Sequence, residues 1–164
     1  MPSVFVAILM GSDSDLPVMQ ACSDLLDNFG IRYEVRITSA HRTPEDTRDY
    51  VREAEKRGCA VFIAAAGLAA HLAGAVAAQT VRPVIGVPID SGPLQGIDAL
   101  LSTVQMPGGI PVACVAIGKS GAKNAAYLAA QILATGDAGL KTALEEERAR
   151  NAELIRQKNK ELNS

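Results

Sequence analysis

"VFVAILMGSDSDLPVMQACSDLLDNFG", residues 4–30, contains a strand, a loop and a helix in one sweep. Val4–Leu9 is apolar throughout, as a parallel strand covered on both faces should be. The run breaks at Gly11 into the polar loop "GSDSD". Beyond it Leu16, Met19, Cys22, Leu25, Leu26 and Phe29 recur at helical spacing and make one buried stripe. Ser14 is placed to cap that helix, and Pro17 is tolerated because first-turn amides lack intrahelical partners. Gly30 ends it.

The same unit repeats along the chain. A strand at about Tyr33–Thr38 leads into "TSAHRTPE" (38–45). Thr43-Pro44-Glu45-Asp46 is a strong helix start, with Thr as cap, Pro first and acids in the first turn. That helix runs to Arg57 and stops at Gly58. An apolar strand, Ala60–Ala66, ends at Gly67, and a small-residue helix spans about Ala70–Thr80. A strand at Val84–Pro88, a short helix around Gly96–Thr103 and the loop "QMPGGIP" (105–111) follow. A last strand, Val112–Ile117, precedes a helix from about Ala122 to Thr135.

Strict alternation of strand and helix predicts an α/β fold with a doubly wound sheet. Five strands suit a three-layer, flavodoxin-like sandwich with a five-stranded parallel sheet. Ligands of such sheets gather outside the carboxyl ends of the strands. "GSDSD", "SAHRT", "GLAAH" and "DSGPLQG" follow strands one to four, so four scattered loops converge there.

The 164 residues suffice for one domain with a substantial core. We read 1–164 as that domain, with an α/β core over 1–136 and an extended C-terminal helix over 137–164. Leu140, Leu144, Ile155 and Leu162 form a thin stripe on that helix, interrupted by Asn151. Such a stripe beyond the last strand is expected to lie against a neighbouring subunit. A formal net charge of −2 gives no electrostatic case for nucleic acid or an anionic membrane. The apolar runs are broken before they could span a bilayer, and the N-terminus lacks a basic leader segment. Cys22, Cys59 and Cys114 are odd in number and far apart, which argues for core thiols rather than disulfides or zinc. The expectation is a soluble cytoplasmic protein.

Four segments are candidates for chemistry. Gly11, Ser12 and Ser14 offer hydroxyls and free amides at a helix start, a ready anion site. Asp13 and Asp15 would repel a phosphate there. Asp13 fits the helix dipole, and at least one of the two should serve something else, such as a sugar hydroxyl. Arg42 presents a planar donor fork beside a capped helix, with Ser39 adding a hydroxyl. His41 is the one group in its loop suited to proton transfer near neutral pH. A histidine at a strand end can equally be structural, and the residues alone leave both open. His71, among Ala, Leu and Gly, reads as a partner for a backbone group, or as part of a dry wall formed by its segment. No nucleophile triad, paired metal ligands, Walker loop or dinucleotide fingerprint is present in the sequence.

Along nearly its whole length the chain resembles the bacterial N5-carboxyaminoimidazole ribonucleotide mutases, the PurE family. The stretches that carry the resemblance are "MGSDSD" (10–15), "SAHRTP" (39–44), "AAHLAG" (69–74), "GVP" (86–88), "LLSTVQMPGGIPV" (100–112) and "AIGKSGAKNAAYLAAQILA" (116–134). The resemblance implies a flavodoxin-like homo-octamer of purine biosynthesis that moves a carboxylate from the exocyclic nitrogen of an aminoimidazole nucleotide to ring carbon four. It implies no cofactor and no metal, with His41 as the proton shuttle. Ser12, Asp15 and Arg42 are implied to bind the substrate, with Ser39 beside them and the Gly11 and Ser14 loop contributing. The segment Gly67, Leu68, Ala69, His71 and Leu72 is implied to close over the base and CO2.

Two alternatives accompany this reading. One is a carboxylase that uses CO2 directly, whose members typically carry Lys-Gly where this chain has Arg42-Thr43. The other is a non-catalytic nucleotide-binding module. The family usually reads "AGAGGAAHLPG" where this chain has "AAAGLAAHLAG" (64–74). Leu68 and Ala65 thus stand in place of glycines, and Ala73 in place of proline. Leu68 is expected to narrow the site, or to restrict a loop that needs positive φ.

Overall fold

In the computed structural model, which describes residues 4–69 and 71–163, five strands form one parallel sheet. They are β1 (Phe5–Met10), β2 (Tyr33–Ile37), β3 (Cys59–Gly67), β4 (Val84–Ile89) and β5 (Ala113–Cys114). Their order is β2-β1-β3-β4-β5, so the winding direction reverses between β1 and β3. Ala70, at the expected start of the third helix, and Met1–Ser3, at the head of the N-terminal stretch, lie outside the described residues.

The helices are α1 (Leu16–Asn28), α2 (Pro44–Lys56), α3 (Leu72–Ala77), α4 (Ile97–Val104), α5 (Lys119–Ala134) and α6 (Ala138–Leu162). A one-turn 3-10 helix, Asp13–Asp15, leads into α1. The chain forms two compact units, Met1–Ala129 and Ala130–Ser164.

In the first unit every residue of β1 and β4 is buried, which explains why those strands read as unbroken apolar runs. Phe5, Ala7 and Leu9 of β1 share a core with Tyr50, Val51 and Ala54 of α2 and with Leu72, Ala73 and Val76 of α3. Val6, Ile8 and Met10 alternate to the opposite face. Right-handed crossovers put α2, α3 and α4 on the first face, leaving the second to α1 and α5. The ring of Phe29, capping α1, meets Tyr127 of α5 edge-on at 6.0 Å. Ala122, Ala125, Ala126 and Ala129 bury one side of α5 without bulk, so that helix can lie close to its neighbours. The fold is therefore the three-layer α/β sandwich expected.

Several boundaries differ from the sequence reading. β5 has two residues, although the apolar run Val112–Ile117 has six. The amide of Val115 still donates to the Gly86 carbonyl at 3.0 Å. The next ladder bond would need an amide on residue 88, which is proline, and the pairing stops. α3 is shorter than the expected Ala70–Thr80. Thr80 Oγ1 donates to Glu55 and accepts from the Arg82 amide, turning the chain toward β4. Ser14 lies inside the 3-10 turn, and Ser12 is the residue that caps it, accepting from the Ser14 amide at 3.3 Å.

In the second unit Asp137 caps α6, accepting from the Leu140 amide at 3.0 Å. Leu144 is buried, whereas Ile155 and Leu162 are 66% and 85% exposed, so the outer part of the stripe is uncovered in the single chain. No helix among the described residues is long and apolar enough to cross a membrane.

Candidate active site

A cleft of about 730 Å³ opens at the carboxyl edge of the sheet, beside the reversal between β1 and β3. The loops after β1, β2, β3 and β4 all contribute to it. Eleven of the twelve residues singled out in the sequence line it: Gly11, Ser12, Ser14, Asp15, Ser39, His41, Arg42, Gly67, Leu68, Ala69 and Leu72. Ala40, Ala66, Ser91 and Gly92 complete the wall.

The loop after β2 is tightly braced. Thr38 donates its amide to the Met10 carbonyl at 2.9 Å, and its hydroxyl lies 2.6 Å from that of Thr47, both side chains being buried. Thr43 takes the cap position of α2, but its hydroxyl makes no cap bond. It turns back instead, accepting from the Ser39 amide at 3.0 Å and donating to the Ser39 carbonyl at 3.2 Å. The four residues from Ser39 to Arg42 therefore project as one rigid turn, with His41 exposed on it.

Arg42 ties this turn to the loop after β1. Its amide donates to Ser39 Oγ at 3.1 Å and its Nη2 to the Gly11 carbonyl at 3.1 Å. One face of the guanidinium is thus committed to protein, and the rest remains available to an anion. Ser12 and Ser14 hydroxyls stand 3.0 Å apart in the same loop.

Asp15 is only 5% exposed. Burial pushes its carboxyl above the ordinary range, and the Asp13 charge adds to the effect. The backbone amides of Ser12 and Gly11 oppose it by hydrogen bonding. Asp15 also lines the cleft, so a carboxyl group with a perturbed pKa stands at the candidate site.

His71 is the site candidate that does not line the cleft. It precedes α3, and its ring folds over the first turn of that helix. A Cβ on Gly74 would come 1.8 Å from Nε2. Its Nδ1 is buried with no hydrogen-bond partner among the described residues. Gly74 thus makes room for the His71 ring.

Sequence reasoning missed Ser91 and Gly92. A Cβ on Gly67 would come 1.9 Å from Ser91 Oγ, and one on Gly92 would come 2.4 Å from Leu68 Cδ2. Leu68 has φ 58, so the positive-φ requirement is real and a leucine meets it. Ala65 and Ala73, the other departures, are buried in β3 and α3 and line no part of the cleft. Burial raises the thiols of Cys22 and Cys59 to about 12, which suits inert core residues. The described residues include no group of three His, Cys, Asp or Glu side chains able to hold a metal.

A parallel sheet with this order and a cleft at its carboxyl edge defines a doubly wound α/β protein, a class whose ligands bind outside the strand ends. Within that class the chain belongs to the AIR carboxylase family, whose sequence profile matches residues 5–154. It is 51% identical over 150 residues to the N5-carboxyaminoimidazole ribonucleotide mutase of Vibrio parahaemolyticus, covering 92% of this chain and 93% of that one. The mutase of Bacillus subtilis is similar to the same extent, at 51% identity over 92% and 93%. Among solved structures, Treponema denticola PurE superposes with a TM-score of 0.89 at 33% identity, over 99% of this chain and 100% of that one.

Proposed function

We propose that this chain converts N5-carboxyaminoimidazole ribonucleotide to 4-carboxy-5-aminoimidazole ribonucleotide in purine biosynthesis, without ATP, metal or organic cofactor. The observation that carries the proposal is that His41, Arg42, Ser39, Ser12 and Asp15 line one cleft in a chain of this family.

Arg42, Ser39 and the amides near the start of α2 receive the phosphate, and Asp15 accepts from the ribose hydroxyls. The base then lies toward His41 and the apolar wall of Ala40, Ala66, Leu68 and Leu72. Protonated His41 gives its proton to the exocyclic nitrogen as the nitrogen–carboxyl bond breaks, and that bond's electron pair stays on nitrogen. CO2 is released into the cleft. Ring carbon four, made electron-rich by the amine, attacks the CO2 carbon. Neutral His41 then removes the proton from carbon four and returns to its starting state. Net, one carboxylate moves and no proton is gained or lost. The apolar wall keeps CO2 beside the ring and water away from it.

The uncovered Ile155 and Leu162 support burial of α6 against another copy in a homo-octamer, and sedimentation velocity tests that assembly. A cytoplasmic location follows from the pathway and is read by fractionation. The function itself is tested by supplying the N-carboxylated nucleotide with a chelator and no ATP. Rapid formation of the carbon-four product supports the mutase. Product only from aminoimidazole ribonucleotide and high CO2 assigns the carboxylase instead, and binding without turnover assigns a binding module.

A further inference from the structure

Leu68 occupies a backbone conformation that favours glycine, with φ 58, at the rim of the cleft. A left-handed leucine is destabilising, and at 52% exposure it recovers only part of the burial that would offset this. Its position is not a local accident, because the facing loop is shaped to receive it. Gly92, after β4, also has positive φ, and the space its Cβ would take is filled by Leu68 Cδ2, 2.4 Å from that point. One residue earlier the arrangement is mirrored: Gly67 lacks a side chain where Ser91 Oγ enters, 1.9 Å from where its Cβ would be. The loops after β3 and β4 are therefore laced twice, each glycine yielding to a side chain of the other loop.

The sheet order gives this lacing a direction. The loop after β1 sits centrally, the His41 loop flanks it on the β2 side, and the laced loops flank it on the β3 and β4 side. The β2 wall is braced by Thr38, Thr43 and Arg42 as described. Among the described residues the facing wall has no comparable network of hydrogen bonds, and side-chain interlock takes that part.

We propose that Leu68 is a positioning residue that joins the loops after β3 and β4 into one wall and so sets the width of the cleft at the base end of the nucleotide. The inference rests on the mutase reading for its substrate. A glycine at this position would relax the backbone and release the wall, whereas leucine accepts backbone strain to hold it.

The test is a double-mutant cycle with Leu68→Gly and Gly92→Ala, read by thermal unfolding, by nucleotide affinity and by steady-state kinetics. Leu68→Gly removes a left-handed side chain, so Tm is expected to be unchanged or to rise by ~2–4 °C. In the same variant KM for the N-carboxylated nucleotide rises about tenfold while kcat changes less than threefold. The share of turnovers that release aminoimidazole ribonucleotide and CO2 also increases. Gly92→Ala displaces Leu68 and gives a similar rise in KM. Its effect shrinks by at least threefold in the Leu68→Gly background, because the strain of alanine at that φ is common to both and cancels. Leu68→Ala, which keeps a Cβ but loses the contact, should match Leu68→Gly in KM without its gain in Tm.

Additive effects on KM, or a Leu68→Gly enzyme with native KM and native CO2 retention, would overturn the proposal. A wild-type chain that binds the nucleotide but never isomerises it would instead overturn the mutase reading. The affinity cycle would still decide whether Leu68 sets the wall.

Discussion

The guanidinium of Arg42 spans from the loop after β2 to the carbonyl of Gly11 at the end of β1, at 3.1 Å. One side chain thus both presents charge to the cleft and fixes the relative position of the two loops that frame it. Arg42→Lys preserves the charge but cannot hold the Gly11 carbonyl and an anion in the same planar fork. We expect a ~10–100-fold loss in kcat/KM, carried mostly by KM and checked by initial rates against nucleotide concentration. A variant with native KM would remove Arg42 from phosphate binding.

His41→Asn retains the shape of the turn, since the bracing bonds run through Thr38, Ser39 and Thr43. Calorimetry should show nucleotide affinity within about threefold of native, while kcat falls by ~10²–10⁴. Turnover close to native would withdraw the proton-transfer role.

Asp15 gives a prediction with a sign. Its carboxyl is held above the ordinary range, first by burial and then by Asp13. A raised folded-state pKa contributes stability below the unfolded pKa and loses it as pH rises through the folded value. Once pH exceeds the folded-state pKa, the ionised, buried carboxylate therefore destabilises the protein. Asp15→Asn should raise Tm above the folded-state pKa, with the gain shrinking as pH falls from that raised value to the unfolded carboxylate pKa. The same variant should lose ~10–100-fold in kcat/KM through weaker ribose binding. A Tm difference independent of pH would contradict the assignment.

Glu34 behaves oppositely. The Arg57 guanidinium lowers its pKa, with Nη2 donating to Oε2 at 2.9 Å and Tyr50 adding a bond at 3.2 Å. Its contribution to stability is present above the unfolded pKa and lost as pH falls through the folded one. Glu34→Gln is expected to cost ~1 kcal/mol at neutral pH, discounted for the partial exposure of the pair, and almost nothing at strongly acidic pH. Urea titrations at two pH values measure this directly.

Gly74→Ala tests the packing of His71. A Cβ there would sit 1.8 Å from the imidazole Nε2, so the ring must leave its place over α3. We expect ~1–3 kcal/mol of destabilisation by chemical denaturation, although alanine is the better helix former. A more stable variant would show that the ring moves aside freely.

The fold was legible because fully buried parallel strands are written as unbroken apolar runs, as Phe5–Met10 and Val84–Ile89 show. The loops of the site were legible for the same reason: strand ends mark the edge where they meet. What escaped were features decided by a neighbour's chemistry. The length of β5 depends on Pro88, in another strand, lacking an amide. The cap of the first helical turn depends on Ser12 accepting from the Ser14 amide, with the 3-10 turn Asp13–Asp15 preceding the helix itself. Ser91 and Gly92 were within a loop placed at the right edge, but only their fit against Gly67 and Leu68 marks them, and that fit lies between segments far apart in the chain.

The pairing of Thr38 with Thr47 has a consequence for design. It closes the ten residues from the end of β2 into the first turn of α2 with a buried hydroxyl contact at their two ends, while Thr43 and Ser39 stitch the interior. Thr38–Thr47 is therefore a self-contained cassette, whose geometry is specified largely by its own members. Moved as a block onto another doubly wound sheet, with a backbone carbonyl in the place of Gly11 for Arg42, it should carry the histidine–arginine presentation with it.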